Sequence, residues 1–102
     1  MPRRGEVWLV DLGMAQKPRP AVVLSIEPGE ADRVVVTVVS HTTSLRESPF
    51  EIVVKVPFLR EGAFAAQSIT TIPTKHALRR LGTLTSEELA PIEDGVRRWL
   101  NL

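Results

Sequence analysis

Apolar and polar positions change their period along this chain. The first two thirds alternate or run in short apolar blocks, and the last third repeats at helical spacing. Glu6-Val7-Trp8-Leu9-Val10-Asp11-Leu12 predicts a strand ending at Gly13, and residues 13–20, with Gly13, Pro18 and Pro20, predict a loop. Ala21 to Ile26 is almost continuously apolar, the pattern of a strand buried on both faces. Pro28-Gly29-Glu30-Ala31-Asp32 is turn chemistry, and Arg33 to Ser40 is β-branched nearly throughout, so the two runs predict a hairpin. His41 to Ser48 is polar and predicts a loop. Phe50 to Val56 predicts a fourth strand, residues 57–63 a connection through Pro57 and Gly62, and Phe64 to Ile72 a fifth strand.

Lys75 to Leu81 predicts a short helix stopped by Gly82. Thr85 with Glu88 fits a capping box, after which Leu89, Ile92, Val96 and Trp99/Leu100 recur at helical spacing. Pro91 would remove a hydrogen bond inside that helix, so the main helix is expected to start there, supported by Glu93–Arg97 and Asp94–Arg98 pairs. The fold class expected from these elements is mainly β (α+β): a small barrel or sandwich of about five to six strands with a short helix and a C-terminal helix. At 102 residues it is read as one domain, 1–102.

Composition narrows the chemistry. There is no cysteine, which excludes disulfide scaffolds, thiol chemistry and cysteine-based zinc sites. No apolar run approaches the length of a membrane span, and the start MPRRGEVW lacks the apolar core of a signal peptide, so no membrane association and a cytoplasmic location are expected. The net charge of +1 lacks the basic excess of a dedicated duplex-DNA binder, although cations gather at Arg3/Arg4, Lys17/Arg19, Arg79/Arg80 and Arg97/Arg98. The only imidazoles are His41 and His76, without carboxylates at ligand spacing, and phosphate-loop, dinucleotide and nucleophile-elbow motifs are absent. No metal and no cofactor are expected.

Three polar groups remain. In Lys17-Pro18-Arg19-Pro20 each proline restricts the residue before it to extended geometry, which suits Arg19 to clamp a phosphate; a solvated loop arginine is the plainer reading. Ser40-His41-Thr42-Thr43-Ser44 places hydroxyls and one imidazole at the end of an apolar strand, as a site or as a turn satisfying its own backbone. Gln67-Ser68 interrupts the fifth strand, where simple alternation would also leave a polar residue facing water.

The chain resembles the MazF/PemK toxins, the Kid and ChpA group of toxin–antitoxin ribonucleases. Arg4-Gly5-Glu6-Val7-Trp8-Leu9-Val10-Asp11-Leu12 resembles the family's opening segment, and Arg19-Pro20-Ala21-Val22-Val23-Leu24-Ser25 its most specific stretch. His41-Thr42-Thr43-Ser44 with Pro49-Phe50-Glu51-Ile52 resembles its threonine loop and following strand, and Ala66-Gln67 stands where the family usually has Asp-Gln. Gly82-Thr83-Leu84-Thr85 and the helix to Leu102 resemble its C-terminal part. Three departures are visible: the Gly13–Pro18 loop is short and carries no acidic residue, Ala66 replaces the aspartate, and His41 stands where an apolar residue or cysteine is more common.

The resemblance implies an SH3-like barrel of the CcdB/Kid/MazF kind, paired as a homodimer. It implies metal-independent cleavage of single-stranded RNA by 2′-hydroxyl attack, giving 2′,3′-cyclic phosphate and 5′-hydroxyl ends. It makes Arg19 and Thr42 the catalytic residues and Gln67 a lining residue of the RNA site, with Lys17, Thr43, Ser44 and Ser68 as further expected RNA contacts. It also implies a cognate antitoxin with a disordered acidic tail. The alternative is a non-catalytic toxin or binding module of the same fold: a CcdB-like gyrase inhibitor or an inactive RNA-binding barrel. Arginine stays protonated at neutral pH and a threonine hydroxyl is no base unaided, so His41 is added as an expected proton shuttle. Trp8 and Trp99 are read as core or dimer contacts rather than stacking platforms.

Overall fold

A computed structural model describes residues 1–13 and 17–102, so part of the predicted 13–20 loop lies outside the described residues. The first two strands are β1 (Glu6–Val10) and β2 (Arg19–Val23), followed by β3 (Val35–Thr42), β4 (Glu51–Ile52) and β5 (Ala63–Pro73). A single 3-10 turn at Thr74–His76 leads into β6 (Ala77–Thr83), and the chain closes with α1 (Ser86–Leu100). The strands form one antiparallel sheet in the order β4-β5-β3-β2-β1-β6. The sheet is open, with β4 and β6 as its outer strands, which loosens the expected barrel to an unclosed one.

Alternation along the strands gives the sheet two apolar faces. Val7, Val22, Val39, Phe64 and Ala66 point to one face and are covered by Leu89, Ile92 and Val96 of α1. Val10, Ala21, Val23, Val36, Val38 and Ile72 form a second cluster on the other face, with Trp8 and Leu12 packed against it. Burying a side chain such as Ile92 or Phe64 contributes about 1.5–3 kcal/mol each, so the helix is held chiefly by that stripe. The Arg4 guanidinium ties it down as well, bonding both the Leu24 carbonyl and the Glu93 carboxylate. Glu93 therefore serves Arg4, and of the two expected intrahelical ion pairs Asp94–Arg98 forms, at 3.0 Å.

Three expected elements are corrected. The segment 75–81 is not a helix: after the 3-10 turn it is β6, paired along β1 from Glu6↔Thr83 to Val10↔Ala77. Its Leu- and Arg-rich sequence favours helix locally, but β1 would otherwise present an open row of backbone groups, and pairing with it wins. Gly82 is accordingly no helix cap; it lies beneath the Phe58 ring, where a Cβ would come within 2.5 Å. The main helix starts at Ser86, with the Thr85–Glu88 capping box formed, and Pro91 lies inside it. Both Pro91 and Glu87 are exposed, so water can serve the Glu87 carbonyl that loses its partner. The fourth strand shrinks to Glu51–Ile52. Val54 and Val56 still pack on the helix-side core, so the alternation in 53–56 is real although no ladder bonds accompany it.

Candidate functional site

Arg19 and Thr42 meet because of strand register. β2 and β3 pair Ala21↔Ser40, Val22↔Val39 and Val23↔Val38, and two residues further the same register sets Arg19 opposite Thr42. Two-residue steps keep a side chain on its face, so Arg19 joins Ala21 on the side away from α1, and Thr42 joins Ser40. The β2–β3 ladder begins at Ala21, one residue past Pro20, which has no N–H to give. The strands therefore part at Arg19 and Thr42.

These two residues line a polar cleft of about 530 Å³ together with Ser40, Ser44, Ser68 and Arg46. Among the described residues, no carboxylate borders it. Among the described residues, no Asp or Glu oxygen pairs with Arg19 or Arg46, whereas Arg3, Arg4, Arg80 and Arg98 are each neutralised by one. Two free guanidiniums and several hydroxyls around an acid-free hollow form an anion site. Thr42 Oγ1 accepts a hydrogen bond from the Ser44 amide at 3.1 Å, which leaves its own proton to donate into the cleft.

Arg46 is the residue that sequence reasoning missed. Its backbone amide and that of Ser48 both donate to the Glu51 carboxylate at 2.9–3.0 Å, with Glu47 between them in the left-handed region at φ 57°. Glu51 is thereby committed to the loop backbone, and β4 holds it against β5 through Glu51↔Ala65. The only sequence signal was an arginine three residues from Thr43 in a loop already singled out.

A break in β5 places Gln67 and Ser68. β3 pairs Val39↔Ile69 and then His41↔Phe64, so β5 carries extra residues between these points. The bulge exposes both Gln67 and Ser68. Ser68 lines the Arg19 cleft, and Gln67 lines a smaller adjoining one of about 270 Å³ with Thr42, Ser44 and Arg46. Lys17 and Thr43 go elsewhere, to a separate groove that shares Arg19 and His41 with the first cleft.

His41, the expected proton shuttle, lies at the border of the cleft that holds Arg19 and Thr42. β3 persists through Thr42, so the two neighbours face opposite sides. His41 borders the cleft, but its ring packs edge-on against Phe64 with centroids 5.0 Å apart, its Nε2 is buried without a partner, and the residue is 4% exposed. Burial holds the imidazole below its ordinary pKa by disfavouring the charged form. The unfolded chain then takes up this proton first as the pH falls below about 6.5. Stability is expected to be full above that pH and to fall on acidification through the lowered pKa. Urea unfolding at pH 7.5 and 5.5 measures the loss, and His41→Phe, which keeps a ring on Phe64 without a titrating group, is expected to show a smaller drop.

The other named residues take structural places. Trp8 packs on the second core and donates from its indole to Glu6 at 3.1 Å, while Trp99 is 44% exposed and sits edge-on to Phe50 at 5.4 Å. Among the described residues, no three His, Cys, Asp or Glu side chains converge as metal ligands, and no helix is long and apolar enough to cross a membrane.

Comparison with known proteins agrees with this fold. Residues 3–100 match the family model described as PemK-like, MazF-like toxin of type II toxin-antitoxin system. The chain is 34% identical to endoribonuclease MazF9 of Mycobacterium tuberculosis, over 100% of its own length and 98% of the relative's. Among solved structures, a mycobacterial endoribonuclease in complex with its cognate antitoxin superposes with a TM-score of 0.83 at 24% identity, covering 100% of this chain and 97% of that one. MazF of Deinococcus radiodurans superposes at 0.79 with 21% identity, covering 99% and 97%.

Proposed function

The chain belongs to the PemK-like, MazF-like toxins of type II toxin–antitoxin systems, and we propose that the cleft between β2 and β3 is where it cleaves RNA. It is an endoribonuclease toxin of that family. The observation that carries the site is the acid-free cleft holding Arg19 and Thr42 on one face of the sheet.

The chemistry that suits these groups is transesterification. The ribose 2′-oxygen gives its proton to a water molecule and attacks the adjacent phosphorus, a P–O2′ bond forms, and the P–O5′ bond breaks as the leaving 5′-oxygen takes a proton from water. The products are a 2′,3′-cyclic phosphate and a 5′-hydroxyl. Arg19 neutralises the non-bridging oxygens, on which negative charge grows in the transition state. Its planar donors match two such oxygens together. Thr42 donates its free hydroxyl proton to the same group, and Arg46 reaches the substrate from the loop that follows β3. Gln67, Ser44 and Ser68 offer neutral donors and acceptors suited to base edges, which single-stranded RNA leaves open. Neither Arg19 nor Thr42 is a base at neutral pH. His41, packed under the strand, is assigned to holding the end of β3 rather than to proton transfer.

The partners of this reading are single-stranded RNA, a cognate antitoxin with an acidic tail, and a second copy of the chain. Exposed Trp99, Leu100 and Leu102 at the end of α1 are apolar surface that a copy or an antitoxin can cover.

Incubating the purified protein with a long single-stranded RNA in EDTA, and mapping the new ends, tests the function. Discrete cuts bearing 5′-hydroxyls are expected. No cuts from folded protein on several diverse RNAs would overturn the cleaving site and favour a toxin that acts by binding alone.

A further inference from the structure

A second groove, of about 630 Å³, is lined by Phe58, Leu59 and Leu81, which pack against the helix-side core, and so opens on the α1 side of the sheet, beside the first cleft. Its floor is apolar, with Leu9, Leu81 and the half-buried Phe58. Four cations line it: Lys17, Arg19, Arg60 and Arg79. Among the described residues no carboxylate does, and none of the four is paired with an Asp or Glu. The contrast with Arg80 is informative. It neighbours Arg79 on β6 but is neutralised by Glu6 at 3.2 Å. In a chain of net charge +1, leaving four cations unopposed in one groove concentrates positive potential there.

The groove adjoins the Arg19–Thr42 cleft at the end of the sheet, where Arg19 and His41 border both. Arg79 is set by the β1 register, opposite Leu9. Phe58 is set by Gly82, whose missing Cβ leaves room for the ring. Unopposed cations around an aromatic and aliphatic floor suit a ligand with phosphates at its edge and flat bases between them. A single strand crossing the cleft can pass over the end of the sheet at Arg19 and lie down in this groove.

We propose that this groove is a flanking subsite that binds the RNA on one side of the scissile phosphate, with Lys17, Arg60 and Arg79 on backbone phosphates and Phe58 under a base. The proposal rests on the reading of the Arg19–Thr42 cleft as the cleaving site. It makes the protein a reader of strands longer than the few nucleotides that the cleft itself holds.

The test is an Arg60→Ala/Arg79→Ala protein, with Arg33→Ala/Arg97→Ala as a control that removes the same charge from surface outside both clefts. Each is assayed on a long single strand and on a short oligonucleotide trimmed close to the mapped cut. The wild type is expected to prefer the long strand, and the Arg60/Arg79 variant to lose roughly tenfold of that preference, measured as the ratio of kcat/KM values. For a long strand carrying 2′-deoxyribose at the cut, the salt dependence of binding is expected to flatten by about 1.4 in log–log slope, two phosphates at roughly 0.7 each. The control keeps both properties. Cleavage by the wild type with no change of preference or slope in the variant would overturn the subsite and leave the cleaving site standing. Cleavage of neither substrate by the wild type, with weakened binding of the long strand in the variant, would overturn the cleaving site and leave the groove. Unchanged RNA binding with lost binding of an acidic, leucine-studded peptide would overturn the proposal and give the groove to an antitoxin tail.

Discussion

An Arg19→Ala protein is expected to fold normally and to cleave RNA about 10²- to 10³-fold more slowly than the wild type. The stability half of that expectation follows from exposure. Arg19 stands on the surface without a carboxylate partner among the described residues, so its truncation costs within about 0.5 kcal/mol. The kinetic half follows from the chemistry. Charge develops on the non-bridging oxygens as the 2′-oxygen attacks, and removing one well-placed donor to such a centre typically costs this factor. Arg19→Lys separates charge from geometry: it keeps the cation but loses the two-pronged donor set, and is expected to recover only part of the rate. Single-turnover cleavage, beside circular dichroism and thermal melts, checks all of this. An alanine variant with wild-type cleavage would remove Arg19 from the reaction.

Gly62→Ala is expected to damage both fold and activity, although Gly62 itself offers no functional group. A Cβ there would stand 2.2 Å from the Thr42 carbonyl oxygen, 3.0 Å from the Thr42 carbonyl carbon and 2.8 Å from His41 Cε1. Two of these atoms are backbone at the last rung of the β3–β5 pairing, Thr42↔Ala63, so they cannot swing aside as a side chain would. Overpacking of this kind costs about 1–3 kcal/mol, and at roughly 4–8 °C per kcal/mol for a domain of this size the melting temperature is expected to fall by about 10 °C. The relief available is a shift of the end of β3, which carries Thr42 out of line with Arg19. Displacement of about 1 Å at a reacting centre can cost 10²-fold, so the folded fraction is expected to cleave poorly too. Gly82→Ala is the informative comparison, because its Cβ meets the Phe58 side chain rather than backbone and leaves Thr42 in place. Equal losses from the two glycine variants would contradict the special role given to the Thr42 contact.

The strands that carry the site were legible because their residues have a strong period and β-branched character: Ala21 to Ile26 and Arg33 to Ser40 read as a hairpin, and within it β2 and β3 pair from Ala21↔Ser40 to Val23↔Val38. Given that hairpin, the meeting of Arg19 with Thr42 depends only on register and two-residue steps. What escaped was decided by partners distant in sequence. Nothing local in Lys75 to Leu81 tells of the bare edge of β1 that recruits it as β6. The opposite facing of His41 and Thr42 turns on whether β3 ends before or after them, and element ends are what periodicity fixes least. Arg46 drew no attention because its place in the cleft is made by Glu51, which spends its carboxylate on two backbone amides. Arg60 and Arg79 come together only through the packing of Phe58 on Gly82 and the register of β6 on β1.

The most direct measurement of the central claim uses one RNA and a single atom. After a cut is mapped, the same strand is prepared with 2′-deoxyribose at the nucleotide whose 2′-oxygen would attack, all other riboses being kept. If the Arg19–Thr42 cleft promotes attack by that oxygen, the substituted strand binds with nearly unchanged affinity and is not cut at that bond. Cleavage of the substituted strand at the same bond and a comparable rate would contradict the account, because the attacking oxygen would then have to come from elsewhere.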